Sequence, residues 1–268
     1  MLKVQRLMSM ATLIDLVKFG GLMALLIWFV VNGSQEMGYH WQWYRVPDFV
    51  FSFEQGRFVA GPLLKGLMVT IRITLTSLVL AFVFGVTSCL FRLSSSFLAR
   101  TLARVYVETI RNTPLLIQIL FIYFVLSPIL HISPFFSAVL ALSLFEGAYA
   151  SEIIRSGILS IEDGQWEAAQ SVGMTKNQIY RTIIFPQAMR IVLPPLTSQA
   201  VSLLKDSSLV STIALYDLTM QGQVMVANTY LAFETWFTVA AIYLSLSLFI
   251  VSLVKVLERR MNAYVQKA

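Results

Sequence analysis

Residues 73–91 read ITLTSLVLAFVFGVTSCLF, and this stretch, which contains no Asp, Glu, Lys or Arg, decides the fold class. A helix that crosses a bilayer needs about 20 consecutive and mostly apolar residues. Residues 113–131 and 235–254 lack the same four residue types. These three stretches predict an all-α membrane protein whose helices cross the bilayer.

The overall composition supports this prediction. Of the 268 residues, 57% are hydrophobic and 13% are charged, whereas a soluble domain carries about 25% charged residues. The net charge of +6 comes from residues in short segments between the apolar stretches. It does not form the basic stripe of a nucleic-acid-binding surface. The single cysteine, Cys89, excludes a disulfide within the chain and a cysteine-based metal site.

Three further apolar stretches contain polar residues but still predict spans. They are residues 16–33, 135–154 and 191–216. In the first, Lys18 can extend its ammonium group to the interface. The second contains Glu146 and Glu152, and the third contains two prolines and the pair Lys205–Asp206. The predicted number of spans is therefore six.

The first span is interpreted as a retained anchor, because no A-x-A-like cleavage site of a signal peptide follows it. The predicted division of the chain has four parts. They are an N-terminal anchor helix (1–34), an external aromatic-rich segment (35–62), a core transmembrane domain (63–261) that includes a cytoplasmic loop (156–190), and a cytoplasmic tail (262–268).

Basic residues predict the orientation, because cytoplasmic loops of membrane proteins carry an excess of Lys and Arg. With the N-terminus inside, fifteen basic residues lie on the cytoplasmic side and three outside, and six spans then place the C-terminus inside as well. The cytoplasmic set is Lys3, Arg6, Lys18, Arg92, Arg100, Arg104, Arg111, Arg155, Lys176, Arg181, Arg190, Lys255, Arg259, Arg260 and Lys267. The external set is Arg45, Arg57 and Lys65.

The segment between the first two spans, residues 35–66, is rich in Trp, Tyr and Phe. These side chains favour the interface between membrane and water, so we expect the segment to lie along the outer membrane surface. A small binding platform for an external partner is the alternative interpretation.

The longest polar region on the predicted inner side is residues 156–190. Its pattern predicts a short helix over residues 162–172. Gly173 follows as a helix-stop residue, because glycine adopts left-handed backbone geometry without a side-chain clash.

A second short helix is predicted to begin at Thr175. Gln178 lies three residues further on, which is the spacing of a capping box. Pro186 is expected to end or kink this helix. A helix–turn–helix between two spans is suited to docking against a soluble partner.

The same region resembles the EAA loop of ABC importer permeases. The resemblance rests on Glu167-Ala168-Ala169, then Gly173 four residues later, then Ile183-Ile184-Phe185-Pro186. Other stretches are similar to the polar amino acid permeases in particular, and the resemblance as a whole covers roughly residues 61–261. These stretches are YVETIRNTPL (106–115), AYASEIIR (148–155) and LLKDSSL (203–209).

The resemblance implies a type I ABC importer fold, with five core helices and here one additional N-terminal anchor helix. It also implies a bacterial inner-membrane location and three kinds of protein partner: ABC ATPase subunits, a second permease subunit that is identical or homologous, and a periplasmic substrate-binding protein. The residues implied in coupling to the ATPase are Glu167, Ala168, Ala169, Gly173, Ile183 and Pro186.

ATP hydrolysis is expected to belong to a partner. The chain lacks the G-x-x-x-x-G-K-[ST] phosphate loop, so ATP and Mg are expected on the ATPase subunits and no cofactor in this chain. An intramembrane enzyme is disfavoured, because neither H-E-x-x-H nor G-x-S-x-G occurs. Two other functions stay open, a stand-alone secondary transporter and an importer for another small polar solute.

Ionisable residues within spans are costly and are therefore functional candidates. A zwitterionic amino acid needs partners for both its carboxylate and its ammonium group once water is removed. The predicted substrate site consists of Arg111, Glu152, Lys205, Asp206, Ser207 and Ser208. Structural pairs on one helix face, Glu108 with Arg111 and Glu152 with Arg155, are the alternative. Residues 194–218 look most like permeases for glutamate and aspartate.

Overall fold

The computed structural model describes the backbone of residues 2–36, 38–54 and 56–265. The helices are α1 (Leu2–Glu36), α2 (Val46–Val50), α3 (Pro62–Leu93), α4 (Phe97–Arg111), α5 (Leu115–Phe121), α6 (Ser127–Leu130), α7 (Pro134–Leu159), α8 (Asp163–Ser171), α9 (Lys176–Ile179), α10 (Phe185–Asp206), α11 (Leu218–Thr229) and α12 (Ala232–Val265). Tighter 3-10 turns lie at Trp43–Arg45 and Ser207–Ile213, and wider π-helical turns lie at Ile122–Leu126 and Tyr180–Ile184.

The chain divides into two compact units, Met1–Trp43 and Tyr44–Ala268. The first unit is built on α1, in which residues Thr12–Gly33 are long and apolar enough to cross a membrane. Its most apolar window contains no buried residue, as expected of a helix that is apolar all round and faces lipid. The predicted first span is thus a single continuous helix.

The second unit contains three further helices that are long and apolar enough to cross a membrane. They are Pro62–Leu93, Pro134–Leu159 and Ala232–Val256. A fifth span results if α4 and residues Leu115–Leu130, which meet at an angle of 107°, count as one broken crossing. Among the described residues four or five spans are counted by length and composition, and the predicted six stay a prediction.

The span predicted over residues 191–216 is present as a helix but is not apolar enough to be counted by composition. Its helix, α10, begins earlier than predicted, at Phe185, and ends at Asp206. The chain then tightens into 3-10 geometry over Ser207–Ile213. Two prolines and the charged pair Lys205–Asp206 lower the hydropathy of this segment, so it is distinguished from the uniformly apolar spans.

The predicted all-α architecture is confirmed, with the addition of one small β-hairpin. Strands β1 (Phe51–Glu54) and β2 (Arg57–Ala60) pair antiparallel, with Phe51 opposite Ala60 and Phe53 opposite Phe58. The hairpin lies in the predicted external segment, whose composition showed aromatic residues but gave no strand prediction. At the other end of the chain α12 runs to Val265, and the last three residues of the predicted tail (262–268) lie outside the described residues.

Helix α7 is the central helix of the second unit. Of its most apolar window 61% is buried, compared with 28% for α3 and 6% for α12. Small residues line the buried faces of α3 and α7 where the two helices meet. They are Ser77, Ala81, Gly85 and Ser88 on α3, and Ser143, Gly147, Ala150 and Ser151 on α7. Small residues let membrane helices approach closely, which compensates for the weak hydrophobic drive in lipid.

Backbone and side-chain contacts show how close this approach is. The Ser143 hydroxyl donates to the Ser77 carbonyl oxygen at 3.3 Å. A Cβ added at Gly85 would lie 2.7 Å from the Ala150 Cβ. A Cβ added at Gly147 would lie 2.8 Å from the Phe84 Cβ of α3. Glycine is therefore required at both positions by the space available.

We expect Gly85→Val to lower the thermal stability of the purified protein, because its added methyl groups force α3 away from α7. Overpacking of a tight core costs about 1–3 kcal/mol. The measurement is the temperature at which the detergent-solubilised protein loses its monodisperse peak in size-exclusion chromatography. Gly21→Val is the matched control, since a Cβ at this membrane-helix glycine meets nothing within 4 Å. Equal melting temperatures for the two variants would contradict the close packing.

Candidate functional site

The polar region after α7 folds as the predicted pair of short helices. Helix α8 spans Asp163–Ser171, within one residue of the prediction at each end. Gly173 has a φ of +78°, the left-handed geometry expected of a helix-stop glycine. Its N–H donates to the Gln170 carbonyl oxygen at 2.9 Å, and the N–H of Met174 donates to the Ala169 carbonyl oxygen at 3.2 Å.

The start of the second helix is the predicted capping box. The backbone N–H of Gln178 donates to the Thr175 Oγ1 at 3.4 Å, and the N–H of Thr175 donates to the Gln178 Oε1 at 2.8 Å. Pro186 was predicted either to end or to kink this helix. It does not end it, because helical geometry continues on both sides of the proline. A π-helical turn over Tyr180–Ile184 precedes the proline, and such a turn accommodates a residue that has no N–H to donate.

The six predicted coupling residues play different parts in this loop. Glu167 and Ala168 are exposed on α8. Ala169 is buried in a small core that holds the two helices together, and Ile183 packs against that core. Gly173 and Pro186 are exposed at the turn and at the start of α10. The loop is therefore a packed scaffold that presents Glu167 and Ala168 on its surface.

A polar cavity of about 320 Å³ lies where α4 meets α7. Its lining residues are Arg92, Val107, Glu108, Arg111, Asn112, Tyr149 and Glu152. The Arg111 guanidinium lies 5.1 Å from the centre of the Tyr149 ring, a distance at which cation–π attraction acts. Two of the predicted site residues, Arg111 and Glu152, are thus brought to one cavity.

Ion pairs hold Glu152 in place in this cavity. Its Oε1 lies 2.6 Å from the Arg155 Nη2, which is the predicted pair on one helix face. Its Oε2 is paired with Arg92 at the end of α3. Arg92 is 60 positions away in the sequence, so no local spacing indicated this partner. The other predicted pair does not form, since no ion pair joins Glu108 to Arg111 among the described residues.

The other predicted site residues lie together at the end of α10. Lys205 is exposed and Asp206 is half-buried. Ser207 is fully buried, and its hydroxyl donates to the Leu204 carbonyl oxygen at 2.7 Å. The Ser208 carbonyl oxygen accepts from the Ser211 hydroxyl at 2.8 Å. The predicted local break is present as the change from α to 3-10 geometry, which begins at Ser207.

The six residues of the predicted site therefore form two separate groups. Arg111 and Glu152 line the polar cavity, and none of the four residues from Lys205 to Ser208 does.

Glu146 is a polar residue that the predicted site did not include. It lies on α7 with 2% of its surface exposed. It lines a small cavity of about 70 Å³ together with Gln199 of α10. Among the described residues neither carboxylate oxygen of Glu146 has a hydrogen-bond partner of ordinary geometry. Its charge within an apolar span was a signal in the sequence, whereas nothing distinguished Gln199.

Comparison with known proteins places these features in context. The family described as "Binding-protein-dependent transport system inner membrane component" matches residues 77–263. The L-cystine transport system permease protein TcyB of Bacillus subtilis is 41% identical over 210 residues, which are 77% of this chain and 89% of that protein. The glutamine transport system permease protein GlnP of Escherichia coli is 37% identical over 203 residues, with 75% and 93% covered.

A third relative is the nopaline transport system permease protein NocM of Agrobacterium fabrum. It is 37% identical over 215 residues, which are 76% of this chain and 89% of that protein. Among solved structures, a crystal structure of an amino acid ABC transporter with histidines superimposes with a TM-score of 0.70 at 37% identity, covering 74% of this chain and 94% of that one. The MetNI methionine ABC transporter in an inward-facing conformation shares the fold, with a TM-score of 0.65 at 19% identity.

Proposed function

Because this chain belongs to the family of inner membrane components of binding-protein-dependent transport systems, we propose that it is the membrane-spanning subunit of an ATP-driven importer for polar amino acids. The observation that carries the proposal is the 41% identity with a cystine permease over 89% of that protein's length. Relatives named for glutamine and nopaline cover similar lengths. Like these permease subunits, the chain is a transport subunit and not an enzyme.

The proposed partners follow from the family and from the loop. A substrate-binding protein delivers the amino acid, and ABC ATPase subunits bind ATP and Mg. A second permease subunit, identical or homologous, completes the pathway. Both termini are proposed to be cytoplasmic, supported by the fifteen basic residues that this orientation places inside. The loop that contains α8 then faces the ATPase.

Coupling is proposed to act through the surface of α8. Glu167 and Ala168 are exposed there, and Ala169 and Ile183 pack the helix pair into a unit. A packed unit transmits a displacement of the ATPase to α7 and α10, between which the loop lies. Gly173 sets the angle between the two short helices, because its φ of +78° fixes the turn.

We expect Gly173→Val to reduce uptake and substrate-stimulated ATPase activity together in the assembled transporter. A β-branched residue is strained at positive φ, and left-handed geometry costs an L-residue about 1–2 kcal/mol. The added side chain itself meets nothing within 4 Å, so backbone strain and not a clash is the cause. The measurements are uptake of labelled substrate and ATP hydrolysis in proteoliposomes.

Two variants control this experiment. Gly21→Val places the same side chain on α1, outside the proposed coupling surface, where it also meets nothing within 4 Å and φ is not positive. It should retain much more activity. Gly173→Asn should restore part of the loss, because asparagine tolerates left-handed geometry. Full uptake and full ATPase stimulation in Gly173→Val would remove the coupling role of this turn.

The substrate site is proposed to use the two groups of charges in succession. The Lys205–Ser208 group lies where the chain changes from α to 3-10 geometry, and broken helices in transporters offer backbone groups to ligands. The second group, Arg111 and Glu152, lines the polar cavity. An arginine there can hold a carboxylate through two hydrogen bonds. Glu146 is a third candidate, since its buried carboxylate can accept an ammonium group. Glutamate or aspartate is one proposed substrate, and another polar amino acid fits the same charges.

We expect Asp206→Asn and Lys205→Met each to weaken uptake while basal ATPase activity is retained. Loss of a hydrogen bond to a charged group costs about 1.5–3 kcal/mol, and 1.4 kcal/mol is a tenfold change in affinity. The half-saturation concentration should therefore rise roughly tenfold or more in at least one variant. Asp48→Asn, an exposed carboxylate on α2, is the control. Unchanged uptake and substrate range in both variants would refute the role of this pair.

A further inference from the structure

The hairpin ahead of α3 carries an aromatic surface that import does not explain. In the register of β1 and β2, Phe51, Phe53 and Phe58 share one face. Each pair of these rings has its centres 6.0 Å apart. We call this set the phenylalanine triad. It lies outside the region that the transport family matches, which begins at residue 77.

The triad is exposed although it is apolar. The exposed fractions are 41% for Phe51, 69% for Phe53 and 59% for Phe58. The opposite face of the hairpin carries Ser52 and Val59, which are both less exposed. The hairpin therefore presents its most apolar face outward, which is the reverse of what water favours.

The hairpin is fixed to the transmembrane core at its base. The Gly61 N–H donates to the Val50 carbonyl oxygen at 2.8 Å. A Cβ at Gly61 would lie 2.5 Å from the Phe49 carbonyl oxygen. The Phe49 side chain, 4% exposed, packs in a cluster with Leu63 and Leu218. These contacts tie the hairpin to the first turn of α3.

This anchoring places the triad at the end of a helix that can span a membrane. Helix α3 begins at Pro62, two residues after β2 ends, and is long and apolar enough to cross a bilayer. Each strand has four residues and extends about 14 Å at 3.4 Å per residue. The triad thus stays within reach of the headgroup region. Two exposed cations flank the triad in the sequence, Arg57 on the opposite face of the hairpin and Lys65 in the first turn of α3.

We propose that the phenylalanine triad inserts into the boundary between lipid headgroups and acyl chains, with phospholipid as its occupant. Phenylalanine is among the apolar side chains that interfacial segments bury at this boundary, and the aliphatic stem of Lys65 can extend its charge to lipid phosphates. The triad precedes α3 in the chain, and α3 also carries exposed apolar side chains. Contact between the triad and lipid fixes how deep the external end of α3 lies in the bilayer.

The size of the surface favours lipid over a protein partner. A phenylalanine buries about 150–250 Å², so three partly exposed rings offer a few hundred Å². A standard protein–protein interface needs about 800 Å² from each partner. Insertion into lipid has no such minimum area.

Spin labels on the assembled transporter in phospholipid nanodiscs test the proposal. Phe53→Cys and Phe58→Cys place the label on the triad, one on each strand, so either variant reports the face if the other fails to assemble. Ser52→Cys is the matched control on the opposite face of β1. Native Cys89 is 1% exposed, and the labelled wild-type protein gives its background. Collision with oxygen, which concentrates in lipid, is compared with collision with a water-soluble nickel chelate.

The proposal predicts a higher ratio of oxygen to nickel access at positions 53 and 58 than at position 52, with no binding protein present. Nickel access at 53 and 58 equal to or above that at 52 would overturn it. Protection that develops at 53 and 58 when the substrate-binding protein is added would also overturn it, and would assign the surface to that protein. None of these readings depends on which substrate is transported.

Discussion

The close contact between α3 and α7 is the constraint on which the second unit depends. Gly85 and Gly147 leave no space for a Cβ between the two helices, and the Ser143 hydroxyl crosses to a carbonyl oxygen of α3. This contact places Arg92 at the end of α3 beside Glu152 of α7. It also fixes the point from which the chain leaves α7 and enters α8. The polar cavity and the proposed docking surface therefore share one support.

Helix α7 joins the proposed coupling loop to the proposed substrate contacts. It carries Glu146 in its buried middle and Glu152 near its end, and α8 follows four residues after it ends. A movement of α8 at its proposed contact with the ATPase would thus act on the helix whose charges line two cavities. The Lys205–Ser208 group lies at the end of α10 that is farther from the loop. Both helices that flank the loop consequently carry charges proposed to meet the substrate.

Local patterns in the sequence predicted the features that local physics determines. The helix stop at Gly173 and the capping box at Thr175 depend on residues within four positions, and both are present. The 107° bend between α4 and α5 and the Arg92–Glu152 pair depend on tertiary contacts, which no spacing reports. The hairpin was missed because its strands are four residues long and consist of the same aromatic residues that favour an interface.

We infer that this chain imports amino acids with energy from a separate ATPase. The most direct test is uptake by proteoliposomes that contain the purified transporter and its binding protein, with labelled glutamate, aspartate, glutamine and cystine supplied in turn. The account predicts accumulation of at least one of these amino acids that requires ATP on the side of the ATPase and requires the binding protein. Accumulation driven by an ion gradient without ATP, or no accumulation of any amino acid, would contradict it.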